Sequence, residues 1–436
     1  MLGYPAVLDS GITDIAASSG IAGILGAFIL SPTLTILGRK AAHIVINTTL
    51  LVGWLIFPFA DNIIALYAAR MVQGLSIGGI YINSIVISEY VHPSRRGYFI
   101  TLKKVSIGIG SLCCHAMEPF WTWRQIAAFA AAPPVLAIVL TLFWPESPSF
   151  LALNGRFAEC EKSFKWLNGN SEESQIHLKN LVEVCMEKCG RNKKRPGIHQ
   201  ILKKFLAKDF QKSIFIVSVL TLSLDLCGRY YFVAYVTEIM VKLLDNKTSA
   251  MFFTLGADLL TIVALSSSTI VIRYFNRRTL LFTFGSFTVI LMLSISLLVY
   301  LNSIFKFPTA ILWLTALIII FLCFVVNIGV VPVSFALIGE IFPLEHKGLG
   351  SFISGIVFTS CFALSLKLTP VLILRTGLYG TYAIYAVCLA LCLAMLYQIL
   401  PETKDKPLQE IEDDLKGVHK IESSLMLEGK KLISNA

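Results

Sequence analysis

Two ionisable residues stand deep inside one apolar stretch of this 436-residue sequence, and they are the first candidates for chemistry. Asp225 lies about 12 residues into the stretch, or ~18 Å along a helix, and Arg229 follows four residues later on the same face of the predicted helix. A charge at the bilayer centre costs at least ~2.5–3.5 kcal/mol. Two explanations stay open: an internal ion pair, or a binding site for a charged solute.

A third ionisable residue, Lys104, lies about seven residues into another apolar stretch, or ~10 Å along its helix. Its long side chain can carry the ammonium group to the cytoplasmic interface. An interfacial position and a role in the path of a solute both stay open.

Other residue patterns that carry chemistry are missing from the sequence. It contains no nucleophile elbow, phosphate-binding loop or metal-ligand cluster, so we expect no enzyme, no cofactor and no metal site. Seven of the ten cysteines lie inside apolar stretches and three in a charged region that we place in the cytosol. We therefore expect no disulfide framework.

The elements that must position these residues are apolar stretches that recur from end to end. The sequence is 56% hydrophobic and 15% charged with a mean hydropathy of +0.73, whereas a soluble domain carries about 25% charged residues. About 20 apolar residues suffice to span a bilayer, so we predict an all-α, multi-pass protein of the cell membrane. The eleven predicted spans are 15–37, 42–60, 63–88, 98–118, 124–144, 213–236, 250–272, 279–301, 308–334, 350–372 and 380–400.

The basic residues fall mostly on one side of the membrane if these spans alternate in direction. The positive-inside rule assigns that side to the cytoplasm and explains the net charge of +10 without nucleic-acid binding. The opposite loops hold few basic residues. One of them contains Asn246-Lys247-Thr248, which makes Asn246 a candidate for glycosylation outside the cell.

The predicted organisation has four parts: an N-terminal bundle at 1–144, a cytoplasmic helical linker at 145–212, a C-terminal bundle at 213–400 and a cytoplasmic tail at 401–436. In the linker, apolar residues such as Leu151, Phe157 and Phe164 recur at near-helical spacing. A second such pattern runs over 198–205. Both patterns are typical of amphipathic helices.

The two halves of the sequence repeat the same short motifs. "GRK" at 38–40 precedes "SEYVHPSRRG" by two spans, and "NRR" at 276–278 precedes "GEIFPLEHKG" by two spans. Glu89 and Glu340 are 251 residues apart, and the prolines that open "PESP" (145–148) and "PETK" (401–404) are 256 apart. Nearly constant spacing indicates two parallel repeats.

These motifs, together with "RMVQGLSIGG" at 70–79 and "LQEIE" after Pro407, resemble the signatures of the sugar-porter branch of the major facilitator superfamily. Within this family, the sequence most resembles the insect facilitated trehalose and hexose transporters. The resemblance implies two pseudo-symmetric helical bundles, alternating access and a sugar such as trehalose or a hexose as the solute. The family has twelve spans, whereas this sequence shows five plus six. We therefore expect that the first span is missing because of a truncated gene model or a fragment.

The resemblance also implies a cytoplasmic gate made of charges that pair and separate. Two acidic neighbours of this gate are replaced, because Thr35 and Arg273 stand where the family has aspartate or glutamate. We therefore expect a looser gate. The gate residues carried over are Arg39, Glu89, Arg96, Glu146, Arg277, Glu340, Lys347 and Glu402.

The solute path departs further from the family pattern, which uses neutral glutamine, asparagine and tryptophan side chains. Each hydroxyl left without a partner costs ~1–3 kcal/mol, so ordinary glucose transport is doubtful on this ground. Three hypotheses stay open: a sugar carrier, a carrier of a charged or zwitterionic solute, and a non-transporting sensor or scaffold. The residues that stand along this path are Lys104, Leu224, Asp225, Gly228, Arg229, Tyr230, Tyr235, Val333, Phe358 and Thr359.

Overall fold

The computed structural model describes residues 10–80, 82–91, 95–191, 208–341 and 347–404 of the chain. Residue contacts divide the chain into two compact units. The first unit combines Met1–Arg195 with Thr359–Arg375, and the second combines Pro196–Phe358 with Thr376–Ala436. The predicted division into bundles, linker and tail stays a prediction, and most of the tail lies outside the described residues.

Helices account for the membrane part of the first unit. Helices α1 and α3 approach closely because glycines face each other. A Cβ atom on Gly26 would collide with the carbonyl of Leu75, and one on Gly74 with the carbonyl of Ser19. Small residues allow such contacts between membrane helices. The helices are α1 (Ser10–Ile36), α2 (Arg39–Ile56), α3 (Ile63–Ile77), α4 (Ile82–Tyr90), α5 (Arg96–Met117), α6 (Trp123–Ala130) and α7 (Ala132–Leu142).

Three further helices follow in the predicted linker: α8 (Pro148–Leu153), α9 (Phe157–Asn168) and α10 (Glu172–Arg191). They share a small core of Leu151, Ala152 and Cys160, against which Phe157, Leu178 and Leu181 pack. The helices predicted from the first apolar pattern are therefore confirmed. The second pattern, at 198–205, lies outside the described residues.

The second unit is also helical. Helix α15 continues into α16 through a π-helical turn at Val326–Val330. Helix α17 changes direction at Gly377, whose backbone angles are φ 70° and ψ 177°. The helices are α11 (Lys208–Leu226), α12 (Arg229–Leu244), α13 (Lys247–Tyr274), α14 (Arg277–Phe305), α15 (Thr309–Val325), α16 (Val331–Glu340) and α17 (Lys347–Ile399), of which Thr359–Arg375 belongs to the first unit.

Each of the eleven predicted spans is mainly helical where the structure describes it. Within the described residues, seven helical stretches are long and apolar enough to cross a membrane, and the 48-residue stretch Phe352–Ile399 holds two predicted spans. Large apolar side chains such as Ile64 (74% exposed) and Phe143 (76% exposed) face outward, as lipid-facing side chains do. The count of eleven spans stays a prediction.

Candidate functional site

Three residues from separate parts of the first unit meet at the start of α2, and we call Arg39, Glu89 and Glu146 the first cluster. Gly38 precedes the helix with φ 106°, a conformation that favours glycine. The carboxylate of Glu146 accepts hydrogen bonds from the backbone N–H groups of Arg39 (2.9 Å) and Lys40 (3.2 Å). These groups have no partner within the helix, and the helix dipole also favours a negative charge there. Glu146 therefore caps α2.

Within the first cluster, Arg39 and Glu89 form a two-pronged ion pair. The Arg39 Nε–Glu89 Oε2 distance is 2.7 Å and the Nη2–Oε1 distance is 2.8 Å. The two side chains are 13% and 16% exposed. The hydroxyl of Ser147 also donates to Glu89 (2.5 Å), and the guanidinium lies 5.2 Å from the centre of the Phe150 ring. Paired geometry of this kind is among the stronger side-chain interactions.

The second unit repeats this arrangement with Arg277, Glu340 and Glu402, which we call the second cluster. Glu402 accepts from the backbone N–H groups of Arg277 (3.1 Å) and Arg278 (3.0 Å) at the start of α14. Arg277 Nη2 lies 2.9 Å from Glu340 Oε1, with the side chains 19% and 26% exposed. The two repeats therefore fold to the same local geometry.

In and beside the second cluster, some buried polar atoms lack a hydrogen-bond partner among the described residues. Arg277 Nε is buried and has no hydrogen-bond partner among the described residues. The same holds for the hydroxyl of Thr403, which stands where the first repeat has Ser147. Since each missing charged hydrogen bond forgoes ~1.5–3 kcal/mol, the second cluster is the easier one to open.

Two helix-capping residues near the clusters were not predicted. Lys40 Nζ donates to the carbonyls of Leu142 (2.9 Å) and Trp144 (2.8 Å) at the end of α7. Arg278 Nη2 donates to the carbonyl of Tyr397 (2.7 Å) near the end of α17. The signal for both was a basic residue at the third position of "GRK" and "NRR".

Tyr90 lies beside the first cluster, just beyond the predicted span 63–88. Burial, followed by the charges of Glu146 and Glu89, raises the pKa of its phenol. The protonated hydroxyl donates to the carbonyl of Pro145 (3.0 Å) and so fixes the "PESP" segment against α4.

Three other positions were expected at or near the gate. Arg96 and Lys347 begin α5 and α17, but their side chains lie outside the part of the chain that the structure describes. Thr35, which replaces an acidic residue, donates its hydroxyl to the carbonyls of Pro32 and Ser31 within its own helix.

The expectation that Asp225 and Arg229 share one helical face is wrong. Helix α11 ends at Leu226, Gly228 takes the left-handed conformation with φ 85°, and α12 begins at Arg229. The described side chains show no ion pair between the two residues. Asp225 is 4% exposed, and neither carboxylate oxygen has a hydrogen-bond partner among the described residues.

Arg229 lies at the start of α12, between aromatic residues. Its guanidinium lies 5.6 Å from the centre of the Tyr230 ring and 5.7 Å from that of Phe335. It also lines a cavity of about 30 Å³ that Asp258 and Asn327 share. The sequence singled out neither Phe335 nor Asn327, although Asn327 is a lone amide inside an apolar run.

The remaining residues predicted along the solute path differ in how deeply they are buried. Leu224, Val333, Phe358 and Thr359 are buried, and Phe358 meets the ring of Tyr230 edge-on with the ring centres 5.6 Å apart. The structure therefore brings Arg229, Tyr230 and Phe358 together. Lys104 on α5 and Tyr235 on α12 are half-buried.

Asn246 is exposed just before α13, and its side chain has a structural role. Oδ1 accepts a hydrogen bond from the backbone N–H of Ser249 (3.1 Å), which is N-capping geometry.

The sequence matches the protein family described as "Sugar (and other) transporter" over residues 6–415. It is 22% identical to a facilitated trehalose transporter, Tret1, of Apis mellifera ligustica over 398 residues, which are 91% of this chain and 78% of that protein. It is 25% identical to the sugar transporter ERD6-like 6 of Arabidopsis thaliana over 402 residues, which are 90% of this chain and 80% of that protein.

Solved structures of membrane transporters have the same fold. The proton:xylose symporter XylE of the major facilitator superfamily, bound to 6-bromo-6-deoxy-D-glucose, aligns with a TM-score of 0.75 at 17% identity and covers 93% of this chain and 89% of that one. The human organic anion transporter MFSD10 aligns with a TM-score of 0.58 at 14% identity, covering 88% and 83%. At these identities the likeness establishes the major facilitator fold.

Proposed function

The chain belongs to the sugar (and other) transporter family, and on that premise we propose that it moves its solute by alternating access under the control of the first and second clusters. It is a multi-pass carrier of the cell membrane and not an enzyme. Transport is facilitative in this proposal, because the trehalose-transporting relatives are named facilitated transporters.

The solute we propose is a neutral sugar such as trehalose or a hexose. The support comes from the names of the relatives, which are trehalose and sugar transporters. The fold alone does not identify the solute, since proteins named for xylose and for organic anions share it.

The observation that carries the proposed mechanism is the repeated ion pair at a helix start. Arg39 pairs with Glu89 while Glu146 caps α2, and Arg277 pairs with Glu340 while Glu402 caps α14. A gate needs two states that differ by a few kcal/mol. The paired side chains remain 13–26% exposed, so water can solvate part of each charge when a pair separates.

The experiment is solute counterflow into proteoliposomes that contain the purified carrier. We expect labelled trehalose or glucose to accumulate transiently against an internal pool of the same sugar. Arg39→Gln removes the ion pair of the first cluster and is expected to lower this exchange. Arg375→Gln removes a charge at an exposed position and serves as the control. Absence of counterflow for every sugar with a folded wild-type carrier would refute the sugar proposal.

A second candidate function, carriage of a charged solute, is favoured by the buried charges of the second unit. Asp225 is buried without a hydrogen-bond partner among the described residues, and Arg229 lines a cavity together with Asp258. The same counterflow assay with amino acids and organic anions separates this candidate from the first. A folded protein that exchanges no solute from either panel would favour the non-transporting sensor or scaffold.

A further inference from the structure

A small cavity with a largely apolar lining and four polar side chains lies in the second unit near the start of α12. Its volume of about 30 Å³ has room for about two water-sized groups, which suits one end of a small solute and is too small for a sugar ring. The polar side chains that line it come from three places in the fold: Arg229 on α12, Asp258 and Thr261 on α13, and Asn327 in the π-helical turn.

Arg229 offers this cavity an unused charged donor. Its Nη1 atom is buried and has no hydrogen-bond partner among the described residues. Such a group costs free energy unless a ligand or water satisfies it. The guanidinium lies over the rings of Tyr230 and Phe335, and these contacts restrict its movement before a ligand binds.

The start of α12 adds a second positive element at the same place. Gly228 precedes the helix and has no side chain that can accept from the N–H groups of the first turn. The break between α11 and α12 lies within a predicted span, where the N-terminal end of a half-helix favours a negative group. Both features match a carboxylate.

Asp258 supplies the opposite charge. It is 8% exposed and lines the cavity from α13. A simple anion would be repelled by the Asp258 carboxylate, whereas an ammonium group would be attracted to it. Thr261 and Asn327 add neutral hydrogen-bonding groups.

We propose that this cavity binds the charged end of a small zwitterion, with the carboxylate at Arg229 and the ammonium at Asp258. The proposal rests on the chain being a solute carrier, and it adds a class of solute to the sugars. The π-helical turn that carries Asn327 fits this role, because such turns often occur at functional sites.

The test uses the purified full chain and measures thermal stabilisation and counterflow with glycine as the probe. Acetate carries only the carboxylate of glycine and methylammonium only its ammonium group. Trehalose tests sugar binding separately. We expect stabilisation and exchange with glycine and much weaker effects with either half. Arg229→Gln should raise the apparent Kd for glycine at least about tenfold, because it loses a charged hydrogen bond. Arg375→Gln, the same change at an exposed arginine, should bind as wild type does.

Thr261→Val keeps the size of the side chain but removes its hydroxyl, and it remains informative if Arg229→Gln does not fold. It should weaken glycine binding while leaving unfolding nearly unchanged. No stabilisation by glycine, or equal binding in wild type and Arg229→Gln, would overturn the proposal. Sugar counterflow without stabilisation or exchange by glycine would overturn the zwitterion proposal but leave the proposed sugar-carrier function intact. A folded protein that exchanges neither would remove the carrier function on which it rests.

Discussion

At Gly38 two requirements meet: a φ of 106° and no room for a side chain beside the Glu146 carboxylate. We expect Gly38→Ala to lower the free energy of unfolding by ~1–3 kcal/mol from the backbone conformation, with a further loss from the displaced carboxylate. Thermal unfolding of the purified protein in detergent measures this.

The matched control is Gly110→Ala in α5. A Cβ atom there meets no other atom within 4 Å, and the position is helical. Alanine at such a site is expected to be neutral or to stabilise by ~0.5–1 kcal/mol. Equal effects of the two substitutions would contradict the role given to Gly38.

The two arginines of the clusters should respond differently to lysine. Arg39 uses two nitrogens to hold Glu89, whereas Arg277 reaches Glu340 with one. Lysine supplies a point charge and not a fork, so Arg39→Lys should lose about one charged hydrogen bond, ~1.5–3 kcal/mol, and Arg277→Lys less. Unfolding of both variants beside wild type gives the comparison. A larger loss for Arg277→Lys would contradict the difference between the clusters.

Sequence reasoning at the residue scale found the charges but not their hydrogen-bond partners. Motif and repeat pointed to Glu146 and Glu402 as gate residues. That both cap a helix start depends on where α2 and α14 begin relative to distant segments, which no local pattern contains. The prediction that Asp225 and Arg229 share one helical face was wrong for a similar reason. The αL conformation of Gly228 separates the two helices that carry them.

Among the helices, the break between α11 and α12 depends on the backbone conformation of Gly228. Its φ of 85° suits glycine, and asparagine tolerates this conformation better than alanine. We expect Gly228→Ala to lower the free energy of unfolding by ~1–2 kcal/mol and Gly228→Asn to lower it less. Thermal unfolding decides this, and alanine tolerated better than asparagine would indicate a continuous helix.

The apolar pattern predicted most elements because lipid imposes a simple rule on backbone hydrogen bonding, which only helices and closed barrels satisfy. It predicted a helix on each apolar stretch and amphipathic helices in the linker, where the structure has helices at 148–153 and 157–168. It did not predict the π-helical turn at Val326–Val330 or the bend at Gly377, because side-chain packing determines such irregularities and hydropathy does not.

At the scale of the whole molecule, the predicted topology places the loop before α13 outside the cell. Asn246→Asp and Asn246→Gln both destroy the glycosylation sequence, but aspartate keeps the helix cap. We expect a glycosidase-sensitive form in wild type and in neither variant, and a loss of ~0.5–2 kcal/mol of stability in the glutamine variant alone. A wild-type protein from a eukaryotic host without any glycosidase-sensitive form would count against this topology.

In the proposed mechanism, the paired charges of the two clusters control transport. Its most direct test is counterflow with the second cluster reversed: Glu340→Arg alone, and Glu340→Arg combined with Arg277→Glu. The single reversal sets like charges where Arg277 and Glu340 now lie 2.9 Å apart, so exchange should fall at least about tenfold. The double reversal restores opposite charges and should recover a substantial part of the exchange. A folded single variant that exchanges as wild type does, or a folded double variant no better than the single one, would contradict the claim.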